Sequence, residues 1–143
     1  MKNVLEWLEE SESAHPDKVV YIEDSKEITF HDVLCASQKI GTVLADVEGS
    51  APIAVISGRK VETITAYLGI VYSGHAYAPI DGKLPRHRID VIVEALKPSA
   101  ILADSDNLDL ANELAQGVPV FELEKAMQVF PMRPDGKVCM DIG

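Results

Sequence analysis

Residues 68–89, LGIVYSGHAYAPIDGKLPRHRI, form the segment that decides the fold. Gly74 predicts the end of one helix, and residues 76–80 predict a short strand after it. Pro85 predicts the start of a second helix, because a proline in the first turn of a helix loses no hydrogen bond. The segment also contains two histidines, two tyrosines, an aspartate and two arginines. A site of chemistry and a purely structural helix–strand–helix unit are therefore both open.

Short apolar strands and single helices alternate around this segment. Strands are predicted at residues 52–57, 76–80, 99–104 and 118–123, with helices at 60–72, from 85, at 108–115 and at 124–129. This alternation is typical of a parallel sheet that helices cover on both faces. In the helix over residues 60–72, the apolar residues Ile64, Leu68 and Val71 are expected on one face.

The N-terminal part predicts a different arrangement. A short amphipathic helix is expected at about residues 3–13, followed by a hairpin of residues 19–24 and 27–30. Thr29 and Asp32 have the spacing of a capping box for a helix that reaches about residue 47. We therefore predict a three-layer α/β fold with a mostly parallel sheet and an N-terminal β-hairpin. Residues 1–130 would form this unit, and residues 131–143 a linker or the start of a further subdomain.

The composition indicates one folded domain and excludes several classes of protein. The 143 residues are 47% hydrophobic, and the formal net charge is -10. Binding to nucleic acid or to a membrane surface is therefore not expected. No apolar run approaches the ~20 residues that span a bilayer, and the N-terminus lacks a signal-peptide core. Cys35 and Cys139 show no C-x-x-C spacing and are predicted to be free thiols, so a cytoplasmic location is expected.

A possible anion site follows the strand at residues 52–57. Gly58, Arg59 and Lys60 lie between that strand and a helix N-terminus, where backbone N–H groups can hold an anion. However, neither GxxxxGK[ST] nor GxGxxG occurs in the sequence. A tight turn with solvated cations is therefore favoured over a phosphate loop.

The four histidines show no spacing of a metal site. His31 and His87 are expected to be exposed near helix starts, whereas His15 precedes a proline. His75 follows Gly74, and a role in the turn is favoured over a role in a site. No G-x-S-x-G motif is present, which excludes the α/β-hydrolase interpretation.

Two aspartates, Asp81 and Asp104, are predicted at the carboxyl ends of strands, where ligands bind in open α/β sheets. A receiver-like module that accepts phosphate on an aspartate is one alternative. Such a module also requires an acidic pair after the first strand and a lysine after the last strand. The sequence has Ser57-Gly58 and Glu122 at those places, which disfavours this alternative.

As a whole, residues 68–102 resemble an early core motif of the AMP-forming adenylating enzymes. That motif has a helix ending in Lys-Ala-Gly, then Ala-Tyr-x-Pro-x-Asp, then a Pro-x-x-Arg-Ile/Leu helix start. The positions in register are Gly74, Ala76, Tyr77, Pro79, Asp81, Pro85, Arg88 and Ile89. The segments EITFHDVLCASQKIG and HPDKVVYIED resemble the preceding motifs, so the resemblance covers about residues 3–125. It is greatest to D-alanine–D-alanyl carrier protein ligases, followed by nonribosomal peptide synthetase adenylation domains. The sequence departs from the usual choices at Tyr72-Ser73, Ala78 and residues 82–84.

The resemblance implies the N-terminal subdomain of a ligase that uses ATP and Mg²⁺. Such a ligase converts a carboxylate to an acyl-adenylate and pyrophosphate, and then passes the acyl group to a carrier-protein phosphopantetheine or to coenzyme A. The family's Ser/Thr/Gly-rich loop, acidic ribose-binding residue and C-terminal lysine have no match in this sequence. No catalytic, cofactor-binding or metal-binding residue is therefore assigned.

The chain by itself is accordingly expected to be inactive, to bind no cofactor, and to self-associate through a face that the missing part would cover. A stand-alone α/β binding or scaffold domain is the other alternative to a ligase fragment.

Overall fold

The computed structural model describes residues 4–15, 17–23, 26–58 and 60–127. The helices are α1 (Val4–Ala14), α2 (Phe30–Leu44), α3 (Lys60–Tyr72), α4 (Arg86–Leu96), α5 (Leu108–Leu114) and α6 (Leu123–Ala126). The strands are β1 (Val19–Glu23), β2 (Lys26–Thr29), β3 (Ile53–Ile56), β4 (Tyr77–Pro79), β5 (Ala100–Ala103) and β6 (Val120–Glu122), and a 3₁₀ turn, Ser105–Asn107, precedes α5. Every predicted helix and strand is present. The main difference is that α2 ends at Leu44 instead of near residue 47. The predicted boundary at residue 130 and the segment 131–143 lie outside the described residues.

The strands form two separate sheets. β1 and β2 are the antiparallel hairpin that the sequence predicted. The other strands form a parallel sheet in the order β4-β3-β5-β6. The chain leaves β3 through α3 towards β4 on one side, whereas β5 lies on the other side of β3. The carboxyl ends of β3 and β5 are therefore a topological switch point, where ligands bind in open α/β sheets.

Helices cover both faces of the parallel sheet, which confirms the predicted three-layer α/β architecture. Alternate residues of the central strands β3 and β5 point to opposite faces. One face packs against α2, α3 and α6 through Ile53, Val55, Ala100 and Leu102 of the strands. The other packs against α4 and α5 through Ala54, Ile56, Ile101 and Ala103. Because both faces are buried, these strands are continuous apolar runs.

The α2 helix begins at a capping box and packs closely against α3. Thr29 Oγ1 accepts a hydrogen bond from Asp32 N at 3.2 Å, and Asp32 Oδ2 accepts one from Thr29 N at 3.0 Å. The backbones of the two helices meet at glycines. A Cβ atom on Gly69 would lie 2.5 Å from the Ile40 side chain, and one on Gly41 would lie 2.8 Å from Tyr72 Cβ. Glycine at both positions therefore permits the close approach of the two helices.

The strand β4 lies at an edge of the sheet and contains a proline. The ladder to β3 uses the Ala76 carbonyl, which accepts from Ile53 N, and the Ile80 N–H, which donates to the Val55 carbonyl. Pro79 belongs to the opposite alternation, so its missing N–H removes no bond to β3. Because Pro79 has no N–H, the outer edge of β4 lacks one hydrogen-bond donor, and this disfavours pairing with a further strand.

The α1 helix packs across α2 and α3, and this contact corrects the prediction for His31. Leu8 of α1 is buried against Val33 and Leu34. His31 was expected to be exposed, but its side chain is 31% exposed, and its Nδ1 lies 3.0 Å from Oε1 of the buried Glu12. The prediction is wrong because the helical position of His31 did not reveal that α1 crosses over it.

The prediction of a free thiol is also wrong for Cys35. Its side chain is fully buried, and its sulfur is disulfide-bonded. Motif spacing says nothing about pairing between cysteines that are distant in sequence, because a disulfide depends on their distance in space. Cys139 lies outside the described residues. The argument from free thiols to a cytoplasmic location therefore no longer holds for Cys35.

In the described part of the chain, no helix is both long and apolar enough to cross a membrane.

Candidate functional site: the carboxyl edge of the parallel sheet

The switch point between β3 and β5 is closed by the side chain of Asp104. This residue directly follows β5 and is 1% exposed. Asp104 Oδ2 accepts hydrogen bonds from Gly58 N at 2.9 Å and from Ser57 Oγ at 3.3 Å, both in the loop after β3. Asp104 Oδ1 accepts from Asn107 N at 3.0 Å and from Asn107 Nδ2 at 2.7 Å. One carboxylate thus joins the loops that follow the two central strands.

These hydrogen bonds favour the ionised form of Asp104. Burial of the carboxylate raises its pKa, but the hydrogen bonds from Gly58, Asn107 and Ser57 outweigh burial and hold the pKa below the ordinary value of 3.8. The negative charge has no cationic partner among these contacts. It is stabilised by N–H and O–H dipoles, as at a helix N-cap.

Three further contacts extend this arrangement across the sheet edge. Ser105 N donates to both carboxylate oxygens of Glu124, at 3.1 and 2.9 Å, and so joins the loop after β5 to α6. A Cβ atom on Gly82 would lie 2.5 Å from Asn107 Oδ1, so the loop after β4 packs against Asn107. Thr63 Oγ1 of α3 donates to Ser57 Oγ at 2.8 Å. The loops after β3, β4 and β5 are therefore fixed to one another or to a neighbouring helix.

This arrangement uses internal groups where a phosphate site would offer free donors. The backbone N–H groups of Gly58, Ser105 and Asn107 are of the kind that hold anions at helix N-termini. Each of them donates to a carboxylate of the chain itself, Asp104 or Glu124. Over residues 4–15, 17–23, 26–58 and 60–127, no cluster of three or more His, Cys, Asp or Glu side chains could hold a metal ion. The described residues consequently do not fit a nucleotide phosphate chain or Mg²⁺.

The two predicted strand-end aspartates have different environments. Asp81 is exposed, and its Oδ1 accepts a hydrogen bond from Lys83 N at 2.9 Å in the turn after β4. Asp104 is buried, with both oxygens bonded. A phospho-accepting aspartate has to be accessible, so the position of Asp104 weighs against the receiver-like alternative. For the predicted anion site, Gly58 lies in the Asp104 network, whereas Arg59 and the Lys60 side chain fall outside the described part of the structure.

The histidines are not brought together. His15 and His87 are exposed, and His31 contacts Glu12 of α1. His75 Nδ1 lies 3.2 Å from Ser73 Oγ, and its Nε2 lies 3.0 Å from the Gly49 carbonyl oxygen. These contacts tie the turn after α3 to the loop before β3, which supports the predicted role of His75 in the turn.

The departure from the family pattern at Tyr72-Ser73 has a structural explanation. Tyr72 Oη donates to Glu9 Oε1 of α1 at 2.9 Å, and Ser73 Oγ donates to the Ile70 carbonyl oxygen at 2.6 Å. Tyr72 therefore helps to hold α1 against α3, and Ser73 closes the last turn of α3.

Sequence reasoning did not identify Ser57, Asn107 or Glu124 as members of this network. Asn107 follows Asp104 by three residues, and this spacing of an aspartate cap was a usable signal. The contact of Glu124 with Ser105 spans 19 residues and has no local signature.

A cleft of ≈ 390 Å³ adjoins β6, beside this edge. Its titratable residues are Glu122 and Lys125, which form an ion pair at 3.4 Å. The other lining residues are Val43, Leu108, Asn112, Val120, Phe121 and Ala126. This lining supplies no nucleophile paired with a base.

The amino-acid sequence matches one family model and is similar to proteins of known activity. A family model described as AMP-binding enzyme matches residues 8–135. The nonribosomal peptide synthetase acrB of Aspergillus aculeatus is 36% identical over 105 residues, which are 73% of this chain and 7% of that protein. The D-alanine–D-alanyl carrier protein ligase of Lactiplantibacillus plantarum is 32% identical over 108 residues, 74% of this chain and 21% of that protein. The chain thus spans about a fifth or less of these relatives.

The fold of this chain is also found in solved structures. The nonribosomal peptide synthetase FmoA3 bound to α-methyl-L-serine-AMP matches with a TM-score of 0.78 and 23% identity, over 87% of this chain and 14% of that one. The N-terminal subdomain of NpsA from Klebsiella oxytoca matches with a TM-score of 0.72 and 20% identity, over 90% of this chain and 33% of that one. The layered sheet described above is therefore shared with adenylating proteins.

Proposed function

The chain belongs to the AMP-binding enzyme family, and we propose from this that it is the N-terminal part of an ATP-dependent, AMP-forming ligase. The ligase would activate a carboxylate as an acyl-adenylate and transfer the acyl group to a thiol. The match of the family model over residues 8–135 carries this proposal. The parallel sheet, with its helices on both faces, supports it.

The chain's own contribution to this ligase is structural. Asp104 and Glu124 occupy the backbone donors of the carboxyl edge, and the described residues offer no group for a metal ion. The groups that bind ATP and Mg²⁺ would then lie in the part of the ligase beyond this chain. The isolated chain is accordingly proposed to be inactive and to bind no nucleotide.

An amino acid, such as D-alanine, is the proposed substrate class, and a carrier protein with a phosphopantetheine arm is the proposed acceptor. Two observations support this choice over a fatty acid and coenzyme A. One relative is named a D-alanine–D-alanyl carrier protein ligase, and another is a nonribosomal peptide synthetase. We place this ligase in the cytoplasm, and that location stays a prediction.

ATP–pyrophosphate exchange in the full-length protein tests the proposal, with D-alanine, other amino acids and fatty acids as separate substrates. Exchange that depends on one amino acid is the expected result. Exchange with fatty acids alone would contradict the substrate class, and no exchange with any carboxylate would contradict the ligase itself. The stand-alone alternative predicts a reading frame that stops after Gly143, whereas the ligase predicts continuation into a Ser/Thr/Gly-rich loop.

A further inference from the structure

The helix α3 is apolar on the face that the sheet covers and also on the face that it does not cover. Ala66 and Ile70 are fully buried against the sheet. Ile64, Tyr67 and Val71 follow one another at spacings of three and four residues, and they form a second stripe along the helix. Ile64 is 49% exposed, whereas Tyr67 and Val71 are half-buried. From Thr63 to Tyr72 the helix contains no charged residue. A helix that is apolar all round is normally buried on all sides.

The outward stripe of α3 continues onto the edge strand β4. Tyr77 pairs in register with Ile53, whose side chain faces α3, so Tyr77 lies on the same side of the sheet. Its ring stacks on Tyr67 with the centroids 4.3 Å apart and the planes at 14°. Tyr77 is nevertheless 44% exposed. Ile64, Tyr67, Val71 and Tyr77 therefore form one continuous surface, called here the α3–β4 patch.

We infer that the α3–β4 patch is an internal interface, on which the remaining part of the ligase's N-terminal subdomain packs and makes α3 a central helix. This inference rests on the proposed function, because it requires a longer chain. It adds the surface through which this part of the subdomain joins the rest.

The extent of the match to a solved subdomain argues for this occupant. The chain accounts for 33% of the chain solved as the N-terminal subdomain of NpsA, so about two-thirds of that subdomain has no counterpart in it. Those residues must pack against the matched part to form one subdomain. A neutral aromatic and aliphatic surface fits the interior of a domain better than a transient contact.

A second copy of this chain is a less suitable occupant. Two copies could extend their sheets by pairing the outer edges of β4, but Pro79 removes one of the donors that such pairing needs. The outer edge is also only three residues long, Tyr77–Pro79.

Matched substitutions in two proteins test this inference. Ile64→Glu changes the patch, and Val91→Glu changes a valine of α4 that is 66% exposed on the opposite face of the sheet. Both variants are made in the full-length ligase and in the 143-residue chain, and thermal unfolding is measured. In the 143-residue chain, each variant should shift Tm by no more than about 3 °C, because both side chains are substantially exposed there. In the full-length ligase, Ile64→Glu should lower Tm by about 5 °C or more, and Val91→Glu should not.

Full-length Ile64→Glu that does not fold, while the same variant of the 143-residue chain does fold, would also support the interface. Equal small effects of Ile64→Glu and Val91→Glu in the full-length ligase would overturn it. The exchange activity of the wild-type ligase is measured in parallel, because its absence contradicts the proposed function without changing the unfolding result. A reading frame that stops after Gly143 would overturn both.

Discussion

The carboxylate of Asp104 accepts a hydrogen bond from the backbone N–H of Gly58 at 2.9 Å, across the switch point of the parallel sheet. At this position in an open α/β sheet, a ligand commonly meets the loops of two diverging crossovers. Here an internal carboxylate joins those loops instead. The contact fixes the loop before α3 relative to the end of β5.

Substitution of Asp104 should destabilise the chain. Asp104→Asn removes one acceptor oxygen from a buried group that receives hydrogen bonds from Gly58, Ser57 and Asn107. We expect the free energy of unfolding, measured with urea, to fall by about 1–3 kcal/mol. Asp46→Asn, at an exposed aspartate, is the control and should change it by less than about 0.5 kcal/mol. Equal effects of the two variants would show that the Asp104 contacts contribute nothing.

Stability should also depend on pH through Asp104. Its pKa in the folded chain lies below 3.8, so the unfolded chain binds the proton first as the pH falls. The stabilisation is therefore present above the unfolded pKa and is lost as the pH falls through the folded value. Urea unfolding from pH 6 to pH 3 should show the wild type losing its advantage over Asp104→Asn below about pH 4. A constant difference between the two proteins over this range would contradict the prediction.

Gly69→Ala tests the close packing of α2 and α3. A Cβ atom at this position would meet the Ile40 side chain at 2.5 Å and the Ser37 carbonyl oxygen at 2.9 Å. The substitution should destabilise the chain by about 1–3 kcal/mol, although alanine is favoured over glycine in a helix by about 1 kcal/mol. Glu94→Ala on the exposed side of α4 controls for helix propensity and should have little effect. A more stable Gly69→Ala variant would mean that the two helices can separate without cost.

His75→Ala distinguishes a turn role from a substrate contact. Loss of the contacts with Ser73 and the Gly49 carbonyl should lower the free energy of unfolding by about 1 kcal/mol. In the full-length ligase, kcat and KM should stay at the wild-type values, as they should for the exposed His87→Ala. A raised KM with unchanged stability would instead place His75 at the substrate.

The isolated chain should self-associate through its exposed apolar surface. Sedimentation velocity at concentrations up to about 100 µM should show a rising weight-average mass. Ile64→Glu, in the α3–β4 patch, should reduce this association, whereas Val91→Glu should reduce it less. A chain that stays monomeric over the whole range would contradict the prediction.

The sequence predicted the order and type of the elements because their signals are local. The spacing of Thr29 and Asp32 predicted a capping box, and the apolar run before Ser57 predicted a buried strand. Both are properties of a few consecutive residues, and the structure confirms both.

The failures concern contacts between distant elements. Periodicity placed Ile64, Leu68 and Val71 on one face of α3 but did not show which face meets the sheet, and the sheet covers Ala66 and Ile70. A helix that is apolar all round has no single preferred face, so its pattern cannot show which side meets the sheet. The contact of Glu124 with Ser105 likewise depends on how the fold brings α6 to the loop after β5.

Amino-acid-dependent ATP–pyrophosphate exchange, measured on the 143-residue chain and on the full-length protein under the same conditions, tests whether the chain is the N-terminal part of an AMP-forming ligase. We expect exchange by the full-length protein with one amino acid and no exchange by the chain alone. Robust exchange by the chain alone, or none by the full-length protein with any carboxylate, would contradict it.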